Sequence, residues 1–215
     1  MTLRLENLVI HDNSGHLLFE PTSFAIEPGT IGVVMGPSGC GKSTLLSLIA
    51  GHLADDFQFQ GEVTLNDVAI TQLPAHQRKI GFLFQDDLLF PHLNIWQNLA
   101  YALPNQLKKQ EREQQAKYAL ERVGLKQIAD SYPEQISGGQ KARVSLVRTL
   151  LAQPSAVLLD EPFSKLDKTL RIQFREWVFA QLQAANIPCL LVTHDEDDIP
   201  TRAQQIKLIW NLSNA

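Results

Sequence analysis

The stretch GPSGCGKST, Gly36 to Thr44, decides how the rest of the chain is read. It fits G-x-x-x-x-G-K-[ST], with Gly36, Gly41, Lys42 and Ser43 in the defining places. Glycines let a backbone curl until several N–H groups converge into a nest for phosphate oxygens. A helix starting at Lys42 would add the positive end of its dipole. The pattern predicts a phosphate cradle made of Gly36, Pro37, Ser38, Gly39, Cys40, Gly41, Lys42, Ser43 and Thr44. Lys42 is expected to reach the β- and γ-phosphates of a nucleotide, and the Ser43 hydroxyl to ligate Mg²⁺. A Gly/Ser-rich turn ahead of a helix is the plain alternative. Company elsewhere in the chain decides between them.

Outward from the loop, short apolar runs recur at LRLENLVI (3–10), IGVVM (31–35), KIGFLF (79–84), AVLLD (156–160), CLLVTH (189–194) and IKLIW (206–210). Several are continuous rather than alternating, as in strands buried on both faces of a parallel sheet. Helical patterns lie between them: 42–50 ending at Gly51, 110–123 stopping at Gly124, and 167–185. In the last, Leu170, Phe174, Trp177, Val178 and Leu182 fall at helical spacing and read as a core stripe. Strand–helix alternation with glycine at the first β–α turn predicts a doubly wound α/β core. Residues 86–153 break the rhythm, with helical patterns but no buried-strand run. The expectation is one domain over 1–215, with a helical lobe at about 86–153 inserted into the core.

The whole chain sets limits. A net charge of −4 argues against a nucleic-acid-binding surface, which shows itself by a basic excess. Nothing approaches 18 consecutive apolar residues, so no membrane-spanning helix is expected. MTLRLENLVI meets Glu6 and Asn7 before any apolar run develops, so no signal peptide is expected. Cys40 and Cys189 make no disulfide framework, which fits a cytosolic location.

Two further motifs keep the loop company. VLLDE (157–161) ends an apolar strand with two acids, and ligands of open parallel sheets sit at the carboxyl edge. Asp160 there is expected to hold Mg²⁺ through water, and Glu161 to polarise a water in line with the γ-phosphate. SGGQ (137–140) precedes the helical stretch KARVSLVRTLLAQ. Ser137 can cap that helix while Gly138 and Gly139 expose N–H groups at its positive end. One chain does not need two anion sites for one γ-phosphate. The economical reading is that SGGQ serves the nucleotide of another copy.

GPSGCGKST, FLFQDD, ISGGQ, VLLDEPFSKLD and LVTHD, in that order, resemble the nucleotide-binding subunit of ATP-binding cassette (ABC) transporters over nearly the whole chain. The resemblance implies a P-loop NTPase core with a mostly parallel sheet, an N-terminal antiparallel β subdomain and an inserted α-helical subdomain. It implies ATP and Mg²⁺ as ligands. Gln85 resembles the glutamine that links magnesium and attacking water to the transport subunit, and is counted among both the catalytic and the metal-binding residues. Ser137, Gly138, Gly139 and Gln140 resemble the signature that closes on ATP held by the opposite subunit. Asp167 resembles the aspartate that connects the two sites, and His194 the histidine that contacts the γ-phosphate. The family usually offers an aromatic ring to adenine in the first strand–turn region; in LVIHDNSGHLLF the nearest candidate is His11. Ile136 stands where Leu is usual, a volume-conserving swap. Lys141-Ala142-Arg143 keeps the basic character of its position, and Lys165 stands where a small residue is frequent.

FQDDLLFPHLNIWQNLAYAL resembles the coupling face of importers, where the helical lobe receives a short helix from a membrane subunit; Phe90, Pro91, His92 and Leu93 carry the likeness. The partners implied are transmembrane permease subunits, a solute-binding protein in the complex and a second copy in an ATP-dependent homodimer. No nucleic acid is expected. The location implied is peripheral, on the cytoplasmic face of the inner membrane. After IKLIW no room is expected for an added regulatory domain. Export, a soluble cassette ATPase acting in DNA repair or on ribosomes, and an ATP-binding regulator without turnover remain the alternatives. The cargo is not readable, because none of these motifs contacts it.

Overall fold

The computed structural model describes residues 1–84 and 86–211. In chain order the strands are β1 (Leu3–Asp12), β2 (Thr22–Ile26), β3 (Ile31–Met35), β4 (Phe57–Leu65), β5 (Val68–Ala69), β6 (Ile80–Leu83), β7 (Ala156–Asp160), β8 (Cys189–Thr193) and β9 (Gln204–Ile206). The α-helices are α1 (Lys42–Ala50), α2 (Ile95–Ala102), α3 (Lys109–Arg122), α4 (Gly138–Leu151) and α5 (Lys168–Ala185). Two sheets form, one ordered β2-β1-β4-β5 and antiparallel, the other ordered β6-β7-β8-β3-β9. In the second, β3 pairs in parallel with β8 and β9, and β7 pairs in parallel with β8. The α/β, P-loop NTPase arrangement with an antiparallel N-terminal sheet matches the expectation.

The chain divides into two compact units. The first comprises Met1–Phe82, Ser155–Glu161 and Phe179–Ala215; the second, Leu83–Pro154 and Pro162–Val178. Strands β7 and β8 are buried at every position, which is why AVLLD and CLLVT read as unbroken apolar runs. In the first unit Leu45, Leu46 and Ile49 of α1 join one core with Val34, Leu158 and Leu190 of the parallel sheet and Leu5, Leu8 and Ile10 of β1. Each such side chain removed from water contributes roughly 1.5–3 kcal/mol before chain entropy is subtracted. Ile95 and Leu99 of α2, Ala116 and Leu120 of α3, and Val144 and Val147 of α4 form the second unit's own core.

The far end of α1 is fastened by a buried cation. Gly51 terminates the helix at φ +85°, and the Arg78 guanidinium lies where a Gly51 Cβ would point, 2.7 Å from Nε. Arg78 donates from Nη1 to Leu48 O (2.7 Å) and Ile49 O (3.0 Å), from Nε to Leu73 O (2.8 Å) and from Nη2 to Thr71 O (2.6 Å). A cation here complements the negative end of the helix dipole, and burial lowers the Arg78 pKa.

One expected strand is corrected. IKLIW does not continue the parallel sheet beyond Ile206. Instead Glu20 N donates to Ile209 O (2.9 Å), Asn211 N donates to Leu18 O (3.0 Å), and Phe19 and Trp210 form an antiparallel bridge. The chain turns away because Trp210 packs edge-on against the fully buried Phe19, ring centroids 5.6 Å apart. The expected helices 110–123 and 167–185 begin at Lys109 and Lys168, and Asp167 lies outside α5.

Candidate functional site

Strand β3 delivers the chain to Gly36, and α1 begins at Lys42 after a left-handed Gly41 (φ +101°). Gly39 is also left-handed, at φ +81°. Gly41 has no side chain to cap the helix, so the first-turn N–H groups lack a side-chain acceptor, as a helix start that receives an anion requires. Lys42 is buried, and its ammonium donates to Gly36 O (2.9 Å) and Pro37 O (2.6 Å) across the base of the loop. Burial pushes the Cys40 thiol pKa up, opposed in part by the Lys42 charge.

The parallel register brings three strand ends together: Val34 and Asp160 both pair with Val192, and Met35 pairs with Thr193. Asp160 ends β7, buried, with the Ser43 side chain near enough to hold its pKa down in part. Burial raises its pKa most, and the neighbouring Glu161 raises it further; Ser43 and Lys42 oppose both. Glu161 follows in the left-handed region, φ +46°, with its N–H donating to Val192 O (2.9 Å). A non-glycine residue held there costs of order 1–3 kcal/mol, and such strain clusters at functional sites. Its Oε1 lies 2.9 Å from His194 Nδ1. A carboxylate can only accept, so Nδ1 carries the proton in this arrangement. His194 stands one residue past β8, more than half exposed.

Among the described residues no cluster of three or more His, Cys, Asp or Glu side chains is set to hold a metal. Ser43 and Asp160 instead supply two adjacent oxygen donors. That set suits Mg²⁺, which binds through one or two protein oxygens, waters and phosphates.

His11 lies in β1, half-buried, opposite Gln58, with Nδ1 3.2 Å from Asp12 O. Leu18 lies against the phosphate loop: a Cβ on Gly41 would sit 3.0 Å from its Cδ1. Gln85 lies outside the described residues.

The second unit carries the remaining motifs. Ser137 Oγ accepts from Gln140 N (3.3 Å) while Gln140 Oε1 accepts from Ser137 N (2.9 Å), a capping box on α4. A Cβ on Gly139 would lie 3.3 Å from Lys165 O and from Leu166 Cδ2, so SGGQ packs beside SKLD. Asp167 Oδ1 accepts from Leu170 N (3.1 Å) at the start of α5. Lys165 Nζ reaches Asp87 Oδ2 at 3.4 Å. Arg143, which keeps the basic character of its position after the signature, is buried and donates to Val123 O (3.1 Å).

Three sets of determinants were not read from the sequence: Asn98, the pair Ser145 and Arg148, and Arg78. Asn98, fully buried on α2, accepts from Phe90 N (2.8 Å) and donates to Phe90 O, Leu93 O and Asn94 O at 3.0–3.1 Å. Ser145 Oγ of α4 donates to Asp87 O, and Arg148 donates to Leu88 O (3.0 Å) and Asp87 O (3.3 Å), with its guanidinium 5.6 Å from the Phe90 ring centre. Arg78, described above, is the third. A polar residue inside an apolar helical stripe, as in IWQNLAYA, was the available signal for Asn98.

Comparison with known proteins gives concordant results. Residues 19–164 match the family described as ABC transporter. The uncharacterized ABC transporter ATP-binding protein YnjD of Escherichia coli is 51% identical over 183 residues, 85% of this chain and 84% of that protein. The Fe(3+) ions import ATP-binding protein FbpC of Haemophilus influenzae is 38% identical over 96% of this chain, which spans 59% of that protein's length. The sulfate/thiosulfate import ATP-binding protein CysA of Mannheimia succiniciproducens is 36% identical over 92% of this chain and 56% of its own. The dimeric post-hydrolysis structure of the ATP-binding cassette MJ0796, bound to ADP and Pi, superimposes with a TM-score of 0.79 at 27% identity, covering 91% of this chain and 89% of that one.

Proposed function

The chain belongs to the ABC transporter family as an ATP-binding, ATP-hydrolysing subunit, and we propose that it energises import of a small solute through separate permease subunits. The observation that carries the reading is the meeting of Lys42, Ser43, Asp160, Glu161 and His194 at the carboxyl ends of β3, β7 and β8. Among the described residues no helix is long and apolar enough to cross a membrane, so on this reading other polypeptides supply the pore.

In the proposed cycle the loop N–H groups and Lys42 take the β- and γ-phosphates, and Lys42 exchanges its ties to Gly36 O and Pro37 O for phosphate oxygens. Ser43 and Asp160 would hold Mg²⁺, which when bound would supply positive charge against the phosphate oxygens. Glu161, oriented by His194 Nδ1–H, accepts a hydrogen bond from the attacking water and polarises it. His194 also contacts the γ-phosphate, and Gln85 joins water and magnesium to the permease. Two copies sandwich two ATP molecules, each nucleotide held by the phosphate loop of one copy and by SGGQ of the other, with Asp167 connecting the sites. Closure shifts the permease toward its other state, and loss of the γ-phosphate reopens the pair. The lobe 86–153 receives the permease through Phe90–Leu93, a solute-binding protein completes the complex, and the subunit sits on the cytoplasmic face of the inner membrane.

Glu161→Gln tests the core of this. It keeps shape and hydrogen-bonding capacity but removes the carboxylate, so turnover falls by about 10²–10⁴-fold while ATP still binds. Light scattering during gel filtration with ATP and Mg²⁺ is expected to show an accumulating dimer. Undiminished turnover would remove Glu161 from the water. A variant that stays monomeric both alone and with its permease would sink the sandwich. His11 is assigned to adenine, so His11→Ala weakens ATP by about 1 kcal/mol in calorimetry. Unchanged affinity places the base elsewhere.

A further inference from the structure

The segment that leaves the parallel sheet after Ile206 comes back to the phosphate loop. In register, Gly32, Val33 and Val34 of β3 pair with Gln204, Gln205 and Ile206 of β9. Met35, the next residue of β3, has no β9 partner, and the Trp210 indole Nε1 donates to its carbonyl at 3.1 Å. The indole edge then fills the space over the first loop glycine: a Cβ on Gly36 would lie 2.6 Å from Nε1 and 3.0 Å from Cε2. Behind it stands Phe19, fully buried and edge-on to the indole. The neighbouring Leu18, tied to Asn211 N through its carbonyl, lies against Gly41 at the other end of the loop. Both ends of the curl therefore rest on one small antiparallel ladder, residues 18–20 against 209–211.

A phosphate nest works only if its N–H groups are aimed before the anion arrives, since aiming them afterwards subtracts from affinity. Backbone in a glycine-containing curl such as Gly36–Gly41 has many alternatives, and Gly36 would be free to swing without a neighbour at its Cα. We propose that Trp210 is a positioning residue for nucleotide binding: its N–H fixes the Met35 carbonyl and its ring braces Gly36, so that the phosphate loop is preset for the triphosphate. Trp210 touches loop backbone, and its effect on ATP passes through that backbone. The inference rests on the reading of Gly36–Thr44 as an ATP-phosphate site.

Trp210→Phe keeps an aromatic ring against Phe19 and removes the N–H. In calorimetry with ATP and Mg²⁺, the Kd is expected to rise about fivefold, the usual worth of one neutral hydrogen bond. In steady-state hydrolysis the loss falls on KM for ATP rather than on kcat, because Glu161 and His194 are held by β7 and β8. General destabilisation would not produce that split. A second measurement uses the native tryptophan. Trp96→Phe with Trp177→Phe leaves Trp210 as the sole indole of the three in the chain. Its emission is expected to shift with ATP and with ADP but not with adenosine, since the indole adjoins the phosphate end of the site. A wild-type Kd in Trp210→Phe overturns the proposal, as does an emission that ignores bound ATP or answers equally to adenosine. Failure of the unaltered chain to bind ATP would instead sink the phosphate-loop reading itself, so the two failures are distinct.

Discussion

GPSGCGKST and SGGQ are both glycine turns that open a helix, yet their surroundings are opposite. Gly36 is crowded by its own chain: a Cβ there would meet Trp210 Nε1 at 2.6 Å and Cys40 Sγ at 2.9 Å. Gly138 has nothing within 4 Å. At α1 the first turn has no side-chain cap, so its N–H groups are left for another acceptor; at α4 Ser137 and Gln140 close a capping box. The first turn is a preset concavity, and the second is a finished helix end turned outward. Glycine answers a packing demand within the molecule at the first. At the second, Gly139 packs against Lys165 O and Leu166 Cδ2, but internal packing makes no such demand at Gly138, and that open glycine is the pattern expected of a surface made for another molecule.

The comparison can be broken in three places. The largest effect is expected at the far end of α1. Arg78→Met leaves the carbonyls of Leu48, Ile49, Thr71 and Leu73 without their donor, and destabilisation of about 3 kcal/mol follows from stranding buried acceptors. Urea unfolding measures it; a loss below about 1 kcal/mol would mean that water replaces the guanidinium. Next comes Gly36→Ala. Its methyl group must displace the indole or the Cys40 sulfur, an overpacking cost of about 1–3 kcal/mol, visible in the same unfolding curves. A neutral result there would show that the crowding relaxes freely. The smallest is Gly138→Ala, where the new methyl meets open space and better helix propensity adds up to about 1 kcal/mol of stability. The ATP-dependent dimer of the Glu161→Gln protein should nevertheless weaken when this change is added. A dimer indifferent to Gly138→Ala would make the outward turn a mere helix end.

The sequence was most legible where burial is two-sided and chemistry is local. AVLLD and CLLVT are strands because every position is buried, and the phosphate loop declares itself because only glycine fits its backbone. The antiparallel sheet was visible only through family resemblance. FQFQGEVTL is half exposed, and Gly61 (φ +102°) breaks its alternation where the β1–β4 register shifts. IKLIW misled because an apolar run does not say which neighbour it will pair with. The partners of Arg78, Asn98 and Arg148 were invisible for a related reason. They are main-chain carbonyls, which every residue carries, so no residue type in the sequence marks them.

That choice of partners has a consequence for how the molecule can change. Asn98 and Arg148 grip residues 87–94 by their peptide groups, so the side chains of Leu88, Pro91 and His92 take no part in these hydrogen bonds. The loop is thus a socket whose form and whose vocabulary are encoded separately. On the proposed reading of Phe90–Leu93 as the permease contact, its exposed residues can change one at a time for a different membrane partner while Asn98 and Arg148 keep hold of its backbone.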